Sequence, residues 1–421
     1  MTNNQPLSLT RRLALRLARP VDPAARARAR LHLADWLGCV AGARRDAVAA
    51  VARAAVADPV SRAALLGNIL EMDDVDRIGR LHPGPLVWPA ALAAAQQQDG
   101  ATVAALLDAG VRGYEAMITI GRMFDDSHYA RWHPSATAGG FGAAAAAGSI
   151  FGLTTAQTVS ALGHAGSLAG GLWRMRHEAV MTKALHSLHA SSAGVRFAHM
   201  ARHGLTGPEW ILEGEQGVFA AMVTAPRAVP ETPGWRLFAV SFKPWPACRH
   251  VHPAIDAALA LGPAIATGPI LVESYGDALR FCDRPHPVTA TEAKFSLQHA
   301  VAVVATRGRP ELADFEPGAL AAFAPARARV SVAVAADLDA GYPAHFGARV
   351  TAGGTVATAA DALGDPENPV GAEALVTKLR TLVDWGGLAA AEADAAIALT
   401  IDADVQADMA PLVALLERWT A

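Results

Sequence analysis

The segment TVAALLDAGVRGYEAM, residues 102–117, repeats apolar side chains every three or four residues. This spacing places the apolar side chains on one face of an α-helix. The same pattern recurs upstream in ARARLHLADWLGCVAGA (residues 27–43) and in WPAALAAAQQQ (residues 88–98). The sequence therefore predicts a helical domain over most of the chain from about Ala24 to Ala225.

The pattern changes after Pro244, where short β-rich runs replace the helical spacing. These runs are residues 269–281, 328–338 and 346–354, with a helix-like run at 291–308 between the first two. Helical spacing returns after the turn-forming cluster GDPENPV and continues to the C terminus. We therefore predict a mainly α fold, with a large all-helical domain built from both chain ends (residues 1–240 and 370–421) and a smaller α+β domain between them (residues 241–369).

Composition narrows the class of function. Of 421 residues, 52% are hydrophobic and 18% are charged, which allows a large core, and the net charge of −3 comes without any Lys/Arg-rich run. Nucleic acid is therefore not an expected partner. The most apolar run, residues 139–153, is shorter than the roughly 20 residues that a membrane span requires, so no membrane contact is expected.

The N-terminal segment and the cysteines indicate the compartment. Residues 9–20, LTRRLALRLARP, interrupt the apolar side chains with arginines, which predicts an amphipathic helix rather than an export signal. Cys39, Cys248 and Cys282 are odd in number and widely spaced, which is typical of a reducing compartment. We expect a cytoplasmic protein.

An acidic segment, LEMDDVDRIGRLHPG at residues 70–84, supplies the first candidate site. It carries four carboxylates within six residues, followed by His82 in a Pro/Gly turn. One interpretation is a solvated loop, because clusters of charge commonly lie at protein surfaces. The other is a general acid/base pair, which a carboxylate and a histidine on a turn can form.

Two further segments place cations and histidines at helix starts. RWHPSATAGGFGAAAA (residues 131–146) sets His133 before a helix of small residues, with Ser135 and Thr137 able to cap it, and is typical either of a cap or of an anion site. In TKALHSLHASSAG (residues 182–194), Lys183 lies among apolar and small residues, as expected for the charge partner of an anion.

His186 and His189 in the same segment resemble a metal pair. Zinc histidines on one helix usually stand four residues apart and require a further ligand, so no metal is expected. The sequence also contains no Walker loop, dinucleotide fingerprint or nucleophile elbow, and no organic cofactor is expected. Proton transfer on a small polycarboxylate is the chemistry that the remaining histidines and cations favour.

The stretch SFKPWPACRHVHP, residues 241–253, concentrates charge where the two predicted domains meet. A solvated linker is one interpretation of it. However, Phe242 and Trp245 are large apolar anchors that would fix Lys243 in place, which a flexible linker would not do. We therefore predict an anion-binding turn that contains Lys243 and Arg249.

These segments, in this order along the chain, resemble the MmgE/PrpD family, which includes 2-methylcitrate dehydratase, cis-aconitate decarboxylase and iminodisuccinate epimerase. The resemblance implies a helical domain made from both chain ends, an α+β lid domain, a homodimer and a metal-free active site in the cleft. By motif, it implies catalytic roles for His133, Lys183, His82, Asp74 and Lys243. It also implies substrate-binding roles for Glu71, Asp73 and His299, the last standing where many members have tyrosine. Arg249 is expected to bind substrate as part of the anion-binding turn.

The chain departs from the family pattern in the acidic segment, which often reads DFDDTH. Val75 removes a hydroxyl and Asp76 adds a negative charge. The asparagine-containing motifs of the 2-methylcitrate dehydratase branch are absent, so 2-methylcitrate is disfavoured as the substrate.

The mechanism left open by the sequence starts with a base, either His133 or an Asp74/His82 pair. The base removes a proton next to a carboxylate, and Lys183 and Lys243 stabilise the negative charge. Loss of a hydroxyl then gives dehydration, and return of the proton to the other face gives epimerisation. Loss of carbon dioxide followed by protonation gives decarboxylation through an equivalent anionic intermediate. The alternative of another class is a non-catalytic helical dimer that binds a metabolite.

Overall fold

The computed structural model describes residues 6–178 and 180–421, which divide into two compact units. The first unit comprises residues 6–69, 73–240 and 372–421, and the second comprises residues 70–72 and 241–371. The predicted fold class is confirmed, because the first unit is helical and contains both chain ends, whereas the second carries a small mixed sheet.

Helices make up the regular structure described in the first unit. They are α1 (Leu9–Leu17), α2 (Pro23–Gly42), α3 (Ala47–Ala55), α4 (Pro59–Leu66), α5 (Gly84–Ala95), α6 (Val103–Met123), α7 (Asp126–Tyr129), α8 (Pro134–Ile150), α9 (Thr155–Ser167), α10 (Thr182–Arg202), α11 (Val218–Met222), α18 (Ala372–Trp385), α19 (Ala390–Thr400) and α20 (Ala410–Thr420). Polar caps fix several starts: Thr102 Oγ1 accepts from the Ala105 amide at 3.3 Å, so α6 begins directly after Thr102.

The close approach of α6, α8 and α10 depends on residues without large side chains. A Cβ added at Gly194 of α10 would lie 2.4 Å from the Cβ of Ala143 in α8, and one at Gly113 of α6 would lie 3.0 Å from the Cβ of Ala146. The alanine-rich and glycine-rich sequence of α8 is therefore what lets three helices pack around it. In the described part of the chain, no helix combines the length and hydropathy that crossing a membrane requires.

The C-terminal segment returns to the first unit through α18, which packs on α2. A Cβ at Gly38 of α2 would lie 3.2 Å from Leu379 Cδ1, so the glycine sets the spacing of this pair. Beside it, Lys378 Nζ lies 2.6 Å from Asp35 Oδ1, and both side chains are buried. The return of helical spacing after residue 370 therefore marks the chain rejoining the helical unit, as the sequence predicted.

The second unit is built on a four-stranded sheet in the order β2-β1-β3-β4. Strand β1 (Ile270–Ser274) runs parallel to β2 (Val330–Val334) and antiparallel to β3 (Ala348–Ala352), which forms a hairpin with β4 (Thr355–Ala359). The accompanying helices are α12 (His252–Ala260), α13 (Gly276–Cys282), α14 (Ala290–Lys294), α15 (Leu297–Arg307), α16 (Ala324–Arg327) and α17 (Ala336–Gly341).

Two details of this unit differ from the sequence prediction. The β-rich runs at 269–281 and 328–338 each form a strand only in their first half and then turn into α13 and α17. Strand β4 was not predicted, because the sequence TVATA lacks a regular alternation of apolar and polar side chains.

Candidate active site

Asp73 and His82 form the first part of the candidate site. Asp73 Oδ2 lies 2.8 Å from His82 Nδ1, Asp73 is buried, and the His82 side chain keeps 17% of its surface exposed. The His82 amide donates to Ser135 Oγ at 3.0 Å, which ties the turn before α5 to the start of α8. The structure thus pairs His82 with Asp73, where the sequence suggested a pair with Asp74.

Asp74 is bound by other groups of the helical unit. Its Oδ2 accepts from the Tyr114 hydroxyl at 2.5 Å and lies 2.7 Å from His32 Nδ1, and its Oδ1 accepts from the Gly84 amide at 2.9 Å. Burial raises the pKa of Asp74 to about 6, against the lowering effect of the hydrogen bonds from Tyr114 and Gly84. These contacts fit a carboxylate that holds the start of α5 in place, and they give its predicted role as a base no support.

Asp76, one of the departures from the family pattern, is neutralised within the helical unit. Arg122 of α6 donates from Nε to both carboxylate oxygens at 3.0 and 3.1 Å, and its Nη2 also donates to Oδ2. Asp76 Oδ1 further accepts from the Gly79 amide at 2.7 Å, and backbone hydrogen bonds between Asp76 and Leu81 close the turn that precedes His82. The added charge therefore stabilises this turn.

His133 stands at the N-terminal end of α8 and is buried. Its amide donates to the Gly171 carbonyl at 2.9 Å, its ring centroid lies 4.5 Å from that of Trp173, and its Nδ1 lies 3.0 Å from His186 Nδ1. Ser135 and Thr137 were expected to cap this helix, but the Ser135 hydroxyl accepts from His82 instead. Thr137 Oγ1 donates to carbonyl oxygens, including that of Gly170 at 3.1 Å.

Electrostatic contacts link His133 to the other candidates of the helical unit. Burial lowers the pKa of His133 well below its usual range, and the neighbouring His186, Lys183 and His82 lower it further, in that order, while Asp73 opposes them. His133 is therefore a neutral imidazole near neutral pH. The structure thus groups His133, Lys183, His82 and Asp73 within one unit, together with His186, to which the sequence gave no catalytic part.

His186 was considered earlier only as a possible metal ligand. It lies one turn after Lys183 on α10 and contacts His133. Among the residues that the structure describes, no group of three or more histidine, cysteine, aspartate or glutamate side chains is arranged to hold a metal ion. The signal that could have identified His186 is its spacing of three from Lys183, which puts both side chains on one helical face.

The boundary stretch, residues 241–253, is packed within the second unit. Phe242 and Trp245 are buried, as predicted for anchors, and the Phe242 amide donates to the Gly364 carbonyl at 3.0 Å. Gly364 has φ +99°, and a Cβ there would lie 2.0 Å from the Phe242 carbonyl oxygen, so only glycine allows this approach. Trp245 Nε1 donates to Asp256 at 2.8 Å. These contacts argue against the solvated-linker interpretation.

Lys243 is fully buried, and its Nζ lies 3.5 Å from Glu71 Oε2. Glu71 belongs to the short piece, residues 70–72, that groups with the second unit, and it adopts φ +57°, which is unusual for a residue other than glycine. Strained backbone of this kind is often retained where a side chain must point in a required direction. Glu71 therefore serves as a counter-ion of Lys243 in this structure.

The remaining two candidates of the second unit are held by other groups. Arg249 donates to Asp365 and lies over the ring of Phe346 at 5.3 Å. His299 is buried in α15, where its Nε2 lies 2.9 Å from the Asp314 carbonyl and its Nδ1 lies 3.1 Å from Arg327 Nη1. Both ring nitrogens of His299 thus have partners within the unit, and the structure gives its predicted substrate contact no support.

Two family models match this chain over most of its length. The MmgE/PrpD N-terminal domain matches residues 60–231, and the MmgE/PrpD C-terminal domain matches residues 245–403. The chain belongs to the MmgE/PrpD family. The N-terminal match contains the whole cluster of the helical unit around His133, whereas Lys243 falls between the two matched ranges.

Relatives with curated names come from animals and a fungus. The chain is 31% identical over 191 residues to cis-aconitate decarboxylase of Homo sapiens, covering 42% of the chain and 39% of that protein. It is 32% identical over 177 residues to the cis-aconitate decarboxylase-like protein oryM of Aspergillus oryzae (39% and 36%), and 30% identical over 184 residues to cis-aconitate decarboxylase of Mus musculus (40% and 37%). The matches thus span less than two-fifths of each relative's length.

Proposed function

We propose that this member of the MmgE/PrpD family is a lyase that acts on a small di- or tricarboxylate by chemistry next to a carboxylate group. The observation that carries the proposal is the buried, neutral imidazole of His133 beside Lys183 and the Asp73–His82 pair. A neutral imidazole accepts a proton, and a nearby ammonium stabilises the negative charge that the step creates. The named relatives add weight to a decarboxylase-like or dehydratase-like reaction.

In the proposed reaction, His133 is the base that takes a proton from the carbon next to a carboxylate. The electron pair of the broken C–H bond then moves onto that carboxylate, and Lys183 stabilises it. Loss of a hydroxyl from the adjacent carbon, protonated to water, completes a dehydration. In a decarboxylation, the C–CO₂ bond breaks instead, its electron pair stays on the substrate carbon, and an acid such as His82 delivers a proton there.

Lys243 is the second cation in this proposal, and Glu71 keeps it in place. Asp73 places a negative charge 2.8 Å from His82 Nδ1, which favours the ring orientation that leaves Nε2 for proton transfer. We also propose that residues 1–240 and 370–421 form the helical domain and that residues 241–369 form the lid domain.

We propose cis-aconitate as the first substrate to test, since it is the molecule named for the relatives. Proton NMR in deuterium oxide with a panel of carboxylates separates the possible reactions. Decarboxylation releases CO₂, dehydration gives a new alkene, and an epimerase of an iminodisuccinate-like dicarboxylate exchanges its α-proton without net loss of carbon or water. Binding without any exchange on the whole panel would favour the non-catalytic alternative and contradict the proposal.

We further propose a cytoplasmic homodimer that needs no cofactor. Support for the dimer comes from large apolar side chains exposed on the helical unit: Leu168 is 67% and Leu185 54% exposed, and both line one cavity on its surface. Light scattering tests it: the wild type is expected at twice the 43.6 kDa chain mass, and Leu168→Glu with Leu185→Glu at the chain mass. A monomeric wild type would contradict it.

A further inference from the structure

We propose that His186 is a positioning residue that fixes the tautomer of His133 in the form that can act as a base. The inference rests on the proposed function only in calling His133 a base, since the tautomer itself is a property of the protein without substrate. Its basis is the 3.0 Å contact between the Nδ1 atoms of the two rings.

Two imidazole nitrogens at this distance share one proton, because one must donate and the other must accept. Burial lowers the pKa of both rings, most strongly that of His133. The neighbouring His189 lowers the pKa of His186 further. Both rings are therefore neutral near neutral pH, and each carries its proton on one nitrogen. When His133 carries its proton on Nδ1, it donates to His186, and its Nε2 lone pair is available to a substrate. With the proton on His186 Nδ1, the roles reverse and His133 Nε2 is protonated.

Proton abstraction selects between these two states. After His133 accepts a proton at Nε2, it is an imidazolium whose Nδ1–H needs an acceptor, and His186 Nδ1 is the nitrogen within reach. A neutral acceptor placed there stabilises the cation, in the way that the aspartate of a catalytic triad orients and stabilises its histidine, although with a smaller charge effect. His186 thus favours the state in which His133 Nε2 is the base.

The backbone around Gly171 holds the His133 and His186 rings next to each other. The His133 amide donates to the Gly171 carbonyl, and a Cβ at Gly171 would lie 2.3 Å from that of Ala136 and 3.5 Å from His186 Cε1. Gly171 has φ +103°, so both this backbone conformation and the short distance to Ala136 require glycine. Because Lys183 lies one turn before His186 on α10, the same helix that brings a cation to His133 also brings its hydrogen-bond partner.

His189 offers a matched control on the same helix. It lies three residues after His186, is exposed, and lines the same surface cavity of about 290 Å³, but it has no part in the proposed proton transfer. The titratable groups that interact electrostatically with the His133–His186 pair are Lys183, His82 and Asp73, together with His189. All of them are unchanged in a variant of His186 alone.

The direct test is nitrogen-15 NMR of histidine-labelled protein without substrate, which distinguishes Nδ1–H from Nε2–H tautomers. The wild type is expected to show His133 as the Nδ1–H tautomer, and His186→Leu to show a shift toward Nε2–H, while His189→Leu leaves His133 unchanged. His186→Asn, whose amide oxygen can accept in place of Nδ1, should retain the wild-type tautomer. His133 found as Nε2–H in the wild type, or unaffected in His186→Leu, would overturn the inference.

Kinetics on a substrate identified for the wild type provide the second readout. His186→Leu should lower kcat roughly 10- to 100-fold with little change in KM, and His186→Asn should recover most of that loss. An equal fall in kcat in both variants, or a change in KM with kcat unaltered, would contradict a positioning role. If the tautomers follow the prediction but no carboxylate turns over, the proposed function fails and the inference about His186 stands.

Discussion

Asp73 Oδ2 lies 2.8 Å from His82 Nδ1, while the adjacent residue, Asp74, is enclosed by Tyr114, His32 and the Gly84 amide. Neighbouring carboxylates in one acidic segment thus have different surroundings. Asp73 faces a partly exposed histidine that can exchange protons, whereas Asp74 belongs to the buried framework that supports it.

The two carboxylates should respond differently to substitution. Asp73→Asn removes the charge that orients His82 and is expected to lower kcat/KM about 10- to 100-fold, with the free energy of unfolding nearly unchanged. Asp74→Ala leaves the Tyr114 hydroxyl and the Gly84 amide without this acceptor and should cost about 2 to 4 kcal/mol of stability. Urea unfolding and steady-state kinetics on both variants check the contrast. A stable, inactive Asp74 variant beside a fully active Asp73 variant would reverse the assignment.

The contribution of Asp35 and Asp74 to the free energy of unfolding should fall as pH rises from about 4 to about 6. Burial raises the pKa of both Asp35 and Asp74 to about 6, so the folded protein keeps two protons that the unfolded chain releases near pH 4. Above their unfolded pKa these groups therefore oppose folding, by up to roughly 3 kcal/mol each. Buried histidines such as His32 and His133, whose pKa burial lowers, act in the opposite direction. The contribution of the carboxylates is therefore measured as the difference between the wild type and a variant in urea unfolding at several pH values.

Asp74→Asn removes one of these titrating groups, so between pH 4 and pH 6 its free energy of unfolding should gain roughly 3 kcal/mol relative to that of the wild type. The same substitution at the exposed Asp99 changes one charge at the surface and should leave the dependence on pH as in the wild type. A free energy of unfolding that changes with pH in the same way in all three proteins would show that Asp74 makes no such contribution.

Lys243→Ala is expected to lower kcat/KM about 30- to 1000-fold, the loss typical of a charge-assisted contact in a site that excludes water. Lys243→Arg should recover only part of it, because a planar guanidinium does not replace a compact ammonium. Lys378→Ala is the matched control: it also removes a buried lysine from a carboxylate, Asp35, and should reduce stability without a specific loss of rate. Equal kinetics for Lys243→Ala and the wild type would leave Lys243 with a structural role alone.

Exhaustive chelation should leave turnover unchanged. His186 and His189 lack the spacing of zinc ligands on a helix, and His186 contacts His133 instead. The measurement is the initial rate before and after dialysis against a chelator, with individual divalent ions then added back. Activity that is lost on chelation and restored by one of these ions would contradict this prediction.

The sequence allowed the fold class to be predicted because apolar spacing and small residues are local signals. The runs that became α6 and α8 carry both signals, and the return of helical spacing after residue 370 located the C-terminal helices. Strand β4 escaped prediction because its sequence lacks a regular alternation of apolar and polar side chains. Helices α13 and α17 escaped prediction because each directly follows a strand and spans only seven and six residues, too few to show helical spacing.

For the candidate site, motifs located His82, His133 and Lys183, but not the partners that define their chemistry. Asp73 and Asp74 are adjacent, so spacing alone does not tell which of them faces His82. Two partners of Asp74, His32 of α2 and Tyr114 of α6, occupy ordinary positions in helical sequence patterns. Nothing in the sequence therefore indicated that they contact Asp74. For His299, a motif position predicts a substrate-binding residue, and sequence alone did not reveal that the Asp314 carbonyl and Arg327 lie beside its ring nitrogens.

The central claim, that His133 is a neutral base at a carboxylate-binding site, is tested most directly by solvent deuterium incorporation. The measurement is the initial exchange rate into the substrate between pH 5 and pH 8, for the wild type and for His133→Gln. Because burial lowers the pKa of His133 well below its usual range, the wild type should keep its rate down to pH values below 6, and His133→Gln should lose about 100- to 10,000-fold. Exchange by His133→Gln at the wild-type rate, with the same dependence on pH, would contradict the account.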